Sequence, residues 1–342
     1  MTWRGPRLRA EEEAIVDLFA RLAGDRGQIN DGQPAVADAL RAELGGLGLW
    51  MIDDAEDDGN PQRVSQLVLS LIGRSWPALG WACAQTRAAL TALDAGPTEA
   101  REHAEAVRSG SQVVVAVDAA AMSVRLDRND TSYVGTIHRV DPASALDSIV
   151  LLDGDEAVWL ASPTIQQSSP VRRSGLDGAR TVSVGINGAG ISLGNLADEV
   201  RSSAWLGAAA VATGIASAAV DQAVDYARHR EQFGGPLTDL PVIRATLQRQ
   251  AALVASSVAA ALEADASDVS QAAGVLATAC DAAVEVSAAA LQVHGGYGYL
   301  TEYPAEQWVR DSLSLRAAAD AMQAGIRAGR VLAQTNYQEV PA

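Results

Sequence analysis

The sequence holds 342 residues, 48% hydrophobic and 20% charged, a balance that suits a globular chain of two or three structural units. A net charge of −16 argues against nucleic acid or an anionic membrane surface as partner, since both demand concentrated positive charge. No lysine is present, which excludes a lysine nucleophile or Schiff base.

Cys83 and Cys280 lie far apart in Ala-rich surroundings and read as small buried hydrophobes in a reducing compartment. The four histidines show no ligand spacing, so no metal site is expected. The N-terminal stretch lacks an apolar core of signal-peptide length. The uncharged run from Ala204 to Val220 is mostly Ala, Gly, Ser and Thr, and reads as a helix buried on nearly all sides rather than a membrane span. The expected location is the cytoplasm.

In chain order, residues 1–110 are expected to be helical. "AEEEAIVDLFARLAG" puts Ile15, Leu18, Phe19 and Leu22 on one face, with acidic residues at the positive end of the dipole and Gly24 as C-cap. "PAVADALRAELGGLGL" predicts a second helix starting at Pro34 and ending near Gly45-Gly46. "DDAEDDGNPQ" reads as an acidic loop, followed by helices over 63–73 and 81–93. Residues 111–198 change to short β-branched runs, "SQVVVAVD", "SYVGTIHRV", "DSIVLLDGDEAVWLAS" and "ARTVSVGI". Gly154-Asp155 between two of them signals a hairpin, and with no helix-length crossover the domain is expected to be antiparallel. Residues 199–342 return to helix in long Ala-rich segments, about 201–229, 240–266, 269–293 and 305–334, which predict a four-helix bundle. The fold class is α+β, and the small-residue surfaces favour an oligomer.

Two segments could meet a phosphorylated cofactor. "YARHREQFGGPL" clusters Arg228 and Arg230 before Phe233 and two glycines, an order able to clamp a pyrophosphate and cover an adenine. "LQVHGGYGY" offers Gln292 and the bare backbone of Gly295 and Gly296. Alone, the first reads better as dipole compensation and the second as a helix cap and turn.

Together, in this order and separation, the two segments resemble the C-terminal domain of the acyl-CoA dehydrogenase family. "LRAELGGLGLWMIDDAEDDG" is similar to that family's second N-terminal helix and the turn after it. "HGGYGYLTEYPAEQWVRD" is similar to its "GG-x-GY…E-x-P…RD". The resemblance covers most of the chain and is most specific over 226–311. It implies an acyl-CoA dehydrogenase-like fold: an N-terminal helical domain, a middle antiparallel β-domain and a C-terminal four-helix bundle. It also implies an FAD shared between two subunits. Arg230, Gln232 and Phe233 match the family's "R-x-x-F-G" contacts to the neighbour's FAD. Gln292, Gly295 and Gly296 match its second such contact. Arg310 and Asp311 match a pair read as a structural ion pair.

The chain departs from the family where the chemistry belongs. The family's base is a Glu nine positions after the Arg of the Arg-Asp pair, which is Ala319 here. In some members it lies 26 positions before the flavin-clamping Arg, which is Ala204 here. Asp320, one step along, reads as an exposed or capping residue, since a helical step turns it by about 100°. In the β-domain the stretches around the flavin ring correspond to 115–124 and 135–143. There an aromatic becomes Arg139 and a flavin-contacting hydroxyl becomes Asp141, an anion that opposes hydride acceptance.

The resemblance therefore implies the non-catalytic subunit of a heteromeric (α2β2) acyl-CoA dehydrogenase. A homologous catalytic subunit carries the base and most of the acyl-CoA contacts, and this chain completes that subunit's FAD site. A steroid side-chain thioester fits as substrate and an electron-transfer flavoprotein as acceptor. Two alternatives stay open: a homo-oligomeric flavoenzyme with a non-standard base, and a redox-dead stabilising subunit without flavin.

Overall fold

The computed structural model describes residues 2–27, 34–54, 60–300 and 302–338. Five N-terminal helices come first: α1 (Ala10–Arg26), α2 (Pro34–Gly46), α3 (Pro61–Ser75), α4 (Pro77–Ala95) and α5 (Thr98–Arg108). Phe19 and Leu22 of the predicted α1 face are buried. The helix runs past Gly24, however, and ends at Gly27 (φ 65°), a conformation that favours glycine. α3 begins with Pro61 at its first turn, and the Asn60 side chain accepts the Arg63 N–H. Part of the predicted acidic loop, residues 55–59, lies outside the described residues.

Eight strands follow. β1 (Val114–Asp118), β4 (Ser148–Asp153), β5 (Glu156–Ala161) and β8 (Ile191–Gly194) form one sheet in the order β1-β4-β5-β8. β2 (Val124–Asn129), β3 (Ser132–Val140), β6 (Ile165–Gln167) and β7 (Val182–Ala189) form the second, in the order β2-β3-β7-β6. Gly154 and Asp155 turn the β4–β5 hairpin, with Asp153 opposite Glu156. The expectation of a wholly antiparallel domain is corrected by β1 and β4, which pair in parallel. Their crossover is the β2–β3 hairpin of the other sheet, so no crossover helix was there to be read from the sequence.

The first sheet is buried on both faces. Ile149 and Leu151 of β4 pack toward the second sheet, with Tyr133, Ile137, Val184 and Ile186. Val150 and Leu152 face the helices in the main core. That double burial explains the unbroken apolar run "IVLL".

The C-terminal helices are α6 (Ala197–His229), α7 (Pro241–Glu263), α8 (Val269–His294), α9 (Ala305–Ala318) and α10 (Ala321–Gln338). Between α6 and α7 a minimal hairpin pairs β9 (Glu231–Gln232) with β10 (Gly235–Pro236). The 33-residue α6 is the axis of the fold. Its Gly214 lies so close to α3 that a methyl group would overlap the Ser70 carbonyl, and a methyl on Gly73 would overlap Val211. Ser70 Oγ and Thr213 Oγ1 hydrogen bond at 3.0 Å across the same contact. By length and composition α6 and α8 are apolar enough to cross a membrane, but 78% of the apolar window of α6 is buried inside the protein.

The predicted continuous helix over 305–334 is two helices. The chain breaks at Ala319 and Asp320, and Asp320 takes φ 50°, the left-handed region that a non-glycine residue enters at a cost.

Candidate functional site: a cofactor edge and a remodelled cleft

The six predicted cofactor residues gather at one end of the bundle. α6 ends at His229, with Arg230 as its C-cap. Phe233 (φ 56°) and Gly234 (φ 88°) turn the β9–β10 hairpin, the two positive φ values that match hairpin twist. This turn projects Phe233 into solvent at 90% exposure, an unusual position for a large apolar ring. α8 ends at His294, and Gly295 (φ 58°) leads into a short 3₁₀ turn, Gly295–Tyr299. The Arg230 guanidinium lies over the Tyr297 ring at 4.7 Å, which joins the two segments. Gln232 and Gln292 are exposed, and a methyl group on Gly295 or Gly296 would touch nothing within 4 Å.

An open guanidinium, two amides, bare backbone and a free aromatic face form a donor set that fits the pyrophosphate and adenosine of a dinucleotide. These residues lie on the outer surface, so they offer donors to one edge of such a group only.

The second feature is a cleft of about 250 Å³ between α4, β1, α6 and the α9–α10 junction. Ala204 and Ala319, the two positions where the resemblance calls for a carboxylate, both line it. Trp81, Trp205, Val117 and Leu152 supply apolar walls, and Arg139, Arg201, Asp118 and Asp320 supply charge. Arg201 is buried, with its Nε 2.6 Å from Asp118 and further bonds to Asp198 and the Gly154 carbonyl.

Asp141, expected beside a flavin ring, is instead buried beneath the cleft at 2% exposure and does not line it. Its carboxylate accepts Arg139 Nε (2.8 Å), Trp81 Nε1 (3.3 Å) and Thr181 Oγ1, and its backbone carbonyl accepts Gln85 Nε2 (3.2 Å). Arg139 is thereby held in the cleft wall. An ion pair of Arg139 with a buried carboxylate thus stands where the resemblance calls for an aromatic and a hydroxyl beside the flavin ring.

Asp320 stands at the N-cap position of α10, its carbonyl accepting the Ala324 N–H at 3.1 Å, but it is half-buried and lines the cleft rather than lying exposed. Burial pushes its carboxyl above the usual range, a hydrogen bond from the Met122 backbone opposes this, and Asp118 adds to it. The signal missed in the sequence is the left-handed break, which swings this residue toward the β-domain.

Arg310 and Asp311 also differ from the expected ion pair. Arg310 bonds Glu306 at 2.7 Å and the Ser174 carbonyl. Asp311 is buried and accepts the Leu176 N–H at 2.6 Å and Gln307 Nε2 at 2.8 Å. Gly175 makes this docking possible, since a methyl there would overlap the Arg310 carbonyl. Burial pushes Asp311 up to about 6 despite both donors. The pair is structural, but each member acts through its own partners.

With this geometry in place, comparisons with known proteins define the class. Residues 204–331 match the family model for the acyl-CoA dehydrogenase C-terminal domain. The mitochondrial short-chain specific acyl-CoA dehydrogenase of Homo sapiens is 41% identical over 113 residues, 31% of this chain and 27% of that protein. The chain thus matches less than a third of the length of such curated relatives. Glutaryl-CoA dehydrogenase of Mycobacterium smegmatis in complex with FADH2 superimposes with a TM-score of 0.77 at 15% identity, over 95% of each chain. A variant of the Tcur3481-Tcur3483 steroid ACAD gives 0.77 at 18% identity, over 96% of this chain and 99% of that one. The whole chain therefore has the acyl-CoA dehydrogenase-like fold, and within it residues 204–331 match the model of that family's C-terminal domain.

Proposed function

We propose that this chain is the non-catalytic subunit of a heteromeric, FAD-dependent acyl-CoA dehydrogenase. One observation carries the reading: the cofactor edge at Arg230, Phe233 and Gly295-Gly296 is intact and open, while the chain's own cleft has alanine at both base positions and an Arg139–Asp141 pair in the ring seat. The same fold keeps the half that serves a neighbour and has replaced the half that would serve itself.

In this reading Arg230 and Gln292 bind the diphosphate of an FAD seated mainly in a homologous catalytic subunit. Phe233 covers its adenosine, and Gly295 and Gly296 let it approach the backbone. The FAD, when bound, supplies the hydride acceptor for α,β-dehydrogenation of an acyl-CoA thioester. The proton-abstracting carboxylate and most acyl-CoA contacts belong to the partner. The assembly is α2β2 and cytoplasmic, with an electron-transfer flavoprotein as acceptor. A steroid side-chain thioester as substrate is supported by the similarity to the steroid ACAD fold.

Co-expression with a homologous chain that carries a glutamate at the position of Ala319 or Ala204, followed by counting FAD, tests the reading. The expected result is one FAD per pair of chains, with Arg230→Ala lowering FAD affinity at least tenfold. A flavin-free complex, or dehydrogenase activity from this chain alone, would sink it.

A second reading draws on Asp320, whose carboxyl faces the cleft with its proton affinity raised. If the chain is instead a homo-oligomeric flavoenzyme, Asp320 is its base. The purified chain would then be yellow and active, and Asp320→Asn would abolish that activity.

A further inference from the structure

Tyr226, His294 and Tyr303 form an aromatic cluster directly beneath the cofactor edge. The Tyr226 ring stacks on His294 with centroids 4.3 Å apart and planes 27° apart. Tyr303 meets both rings edge-on at 5.5 Å. Tyr226 sits one turn before the end of α6, and His294 is the last residue of α8.

Each contact in this cluster bears on a residue that holds the cofactor. The Tyr226 hydroxyl donates to the His294 carbonyl at 3.3 Å, where α8 stops and Gly295 begins. The Tyr226 backbone carbonyl accepts the Arg230 N–H at 2.9 Å. Arg230 in turn lies over Tyr297. His294 Nδ1 is 2.7 Å from the Ala290 carbonyl, which only a protonated Nδ1 satisfies. Nε2 is buried with no hydrogen-bond partner among the described residues. The ring is 2% exposed, and burial lowers its proton affinity, so it stands as a neutral, flat spacer.

We propose that this cluster is a clasp that fixes the spacing of the two cofactor-binding segments, with Tyr226 and His294 as positioning residues for the dinucleotide. The Tyr226–His294 bond ties the end of α6 to the end of α8. The Arg230–Tyr297 contact then sets the guanidinium against the glycine turn. Without the hydroxyl the two helix ends keep their apolar and ring packing but lose the directional tie at the start of the glycine turn, so the turn is held less closely against Arg230. Positional errors of about 1 Å in such a donor are enough to matter. The clasp rests on the proposed cofactor role of this edge.

Two measurements test it separately from that role. In the full chain alone, Tyr226→Phe keeps the stacking but removes the hydroxyl. The amides of residues 295–300 are expected to exchange with solvent at least fivefold faster while the thermal midpoint stays unchanged; unchanged exchange overturns the clasp. In the complex with the homologous subunit, FAD affinity is measured for Tyr226→Phe, Arg230→Ala and the double variant. The expected result is a fivefold or greater loss for Tyr226→Phe alone and little further loss in the Arg230→Ala background. Additive losses overturn action through Arg230. No loss from Arg230→Ala itself overturns the cofactor reading instead, and the exchange experiment still decides the clasp. His294→Phe, which keeps a flat ring, is expected to retain affinity that His294→Ala loses.

Discussion

Ala204 of α6 and Ala319 at the α9–α10 junction line the same cleft, although they lie far apart in the chain. The fold thus brings together both positions where a base is expected, and neither carries a carboxylate. Ala319→Glu should still give no dehydrogenase activity in this chain alone, because in the proposed reading the Arg139–Asp141 pair stands where the flavin ring would need to sit. Anaerobic mixing with acyl-CoA and added FAD, followed by the flavin absorbance, is expected to show no bleaching beyond the wild-type level.

Asp141 keeps Arg139 in place. Asp141→Ala leaves that guanidinium in the cleft wall without its carboxylate, and strands Thr181 and Trp81 as donors. A loss of about 3 kcal/mol is expected, read from urea unfolding at pH 7. Asp141→Asn should lose less, because it retains an acceptor.

Asp311 gives the stability a pH dependence of known sign. Its folded value is raised to about 6, so the folded chain holds this proton more firmly than the unfolded one. Stability from this group is full below about pH 4 and is lost as pH rises toward 6. Asp311→Asn keeps an acceptor for the Leu176 N–H and removes the titration. Across pH 4–6 the wild type should lose about 3 kcal/mol relative to the variant, with no further divergence above that range.

Glu12 has the opposite sign. Burial alone would raise its pKa, but hydrogen bonds from Arg63 and from the Arg9 backbone and side chain outweigh that and hold it at about 2. Its contribution is therefore full above about pH 4.5 and disappears as pH falls toward 2. Glu12→Gln should cost about 3 kcal/mol at pH 7, since it breaks a buried tie between α1 and α3. Chemical denaturation at pH 7 and pH 3 should show the gap narrowing in acid.

The sequence reveals features written in local chemistry. Gly154-Asp155 names its hairpin, and the Arg-Glu-Gln-Phe-Gly and Gln-Val-His-Gly-Gly segments mark the proposed cofactor edge. What it hides depends on distant partners. The break at Ala319-Asp320 falls in "RAAADAMQ", a run of good helix formers, and the Met122 amide that meets Asp320 comes from the β-domain. Asp141 reads as an anion beside a flavin until Arg139, Trp81 and Thr181 are seen around it. The parallel β1–β4 pairing is hidden because its crossover is built from strands of the other sheet.

α6 carries Arg201 in the cleft at one end and Arg230 at the cofactor edge at the other. At a rise of 1.5 Å per residue the two stand roughly 40 Å apart along a rigid rod. No single small molecule bridges that distance, so substitutions that accumulate at one end put no direct strain on the other. The same helix forbids insertions, because one added residue would rotate one end against the other by about 100°. A chain built around such a rod is free to drift in what each end does, but not in where the ends stand.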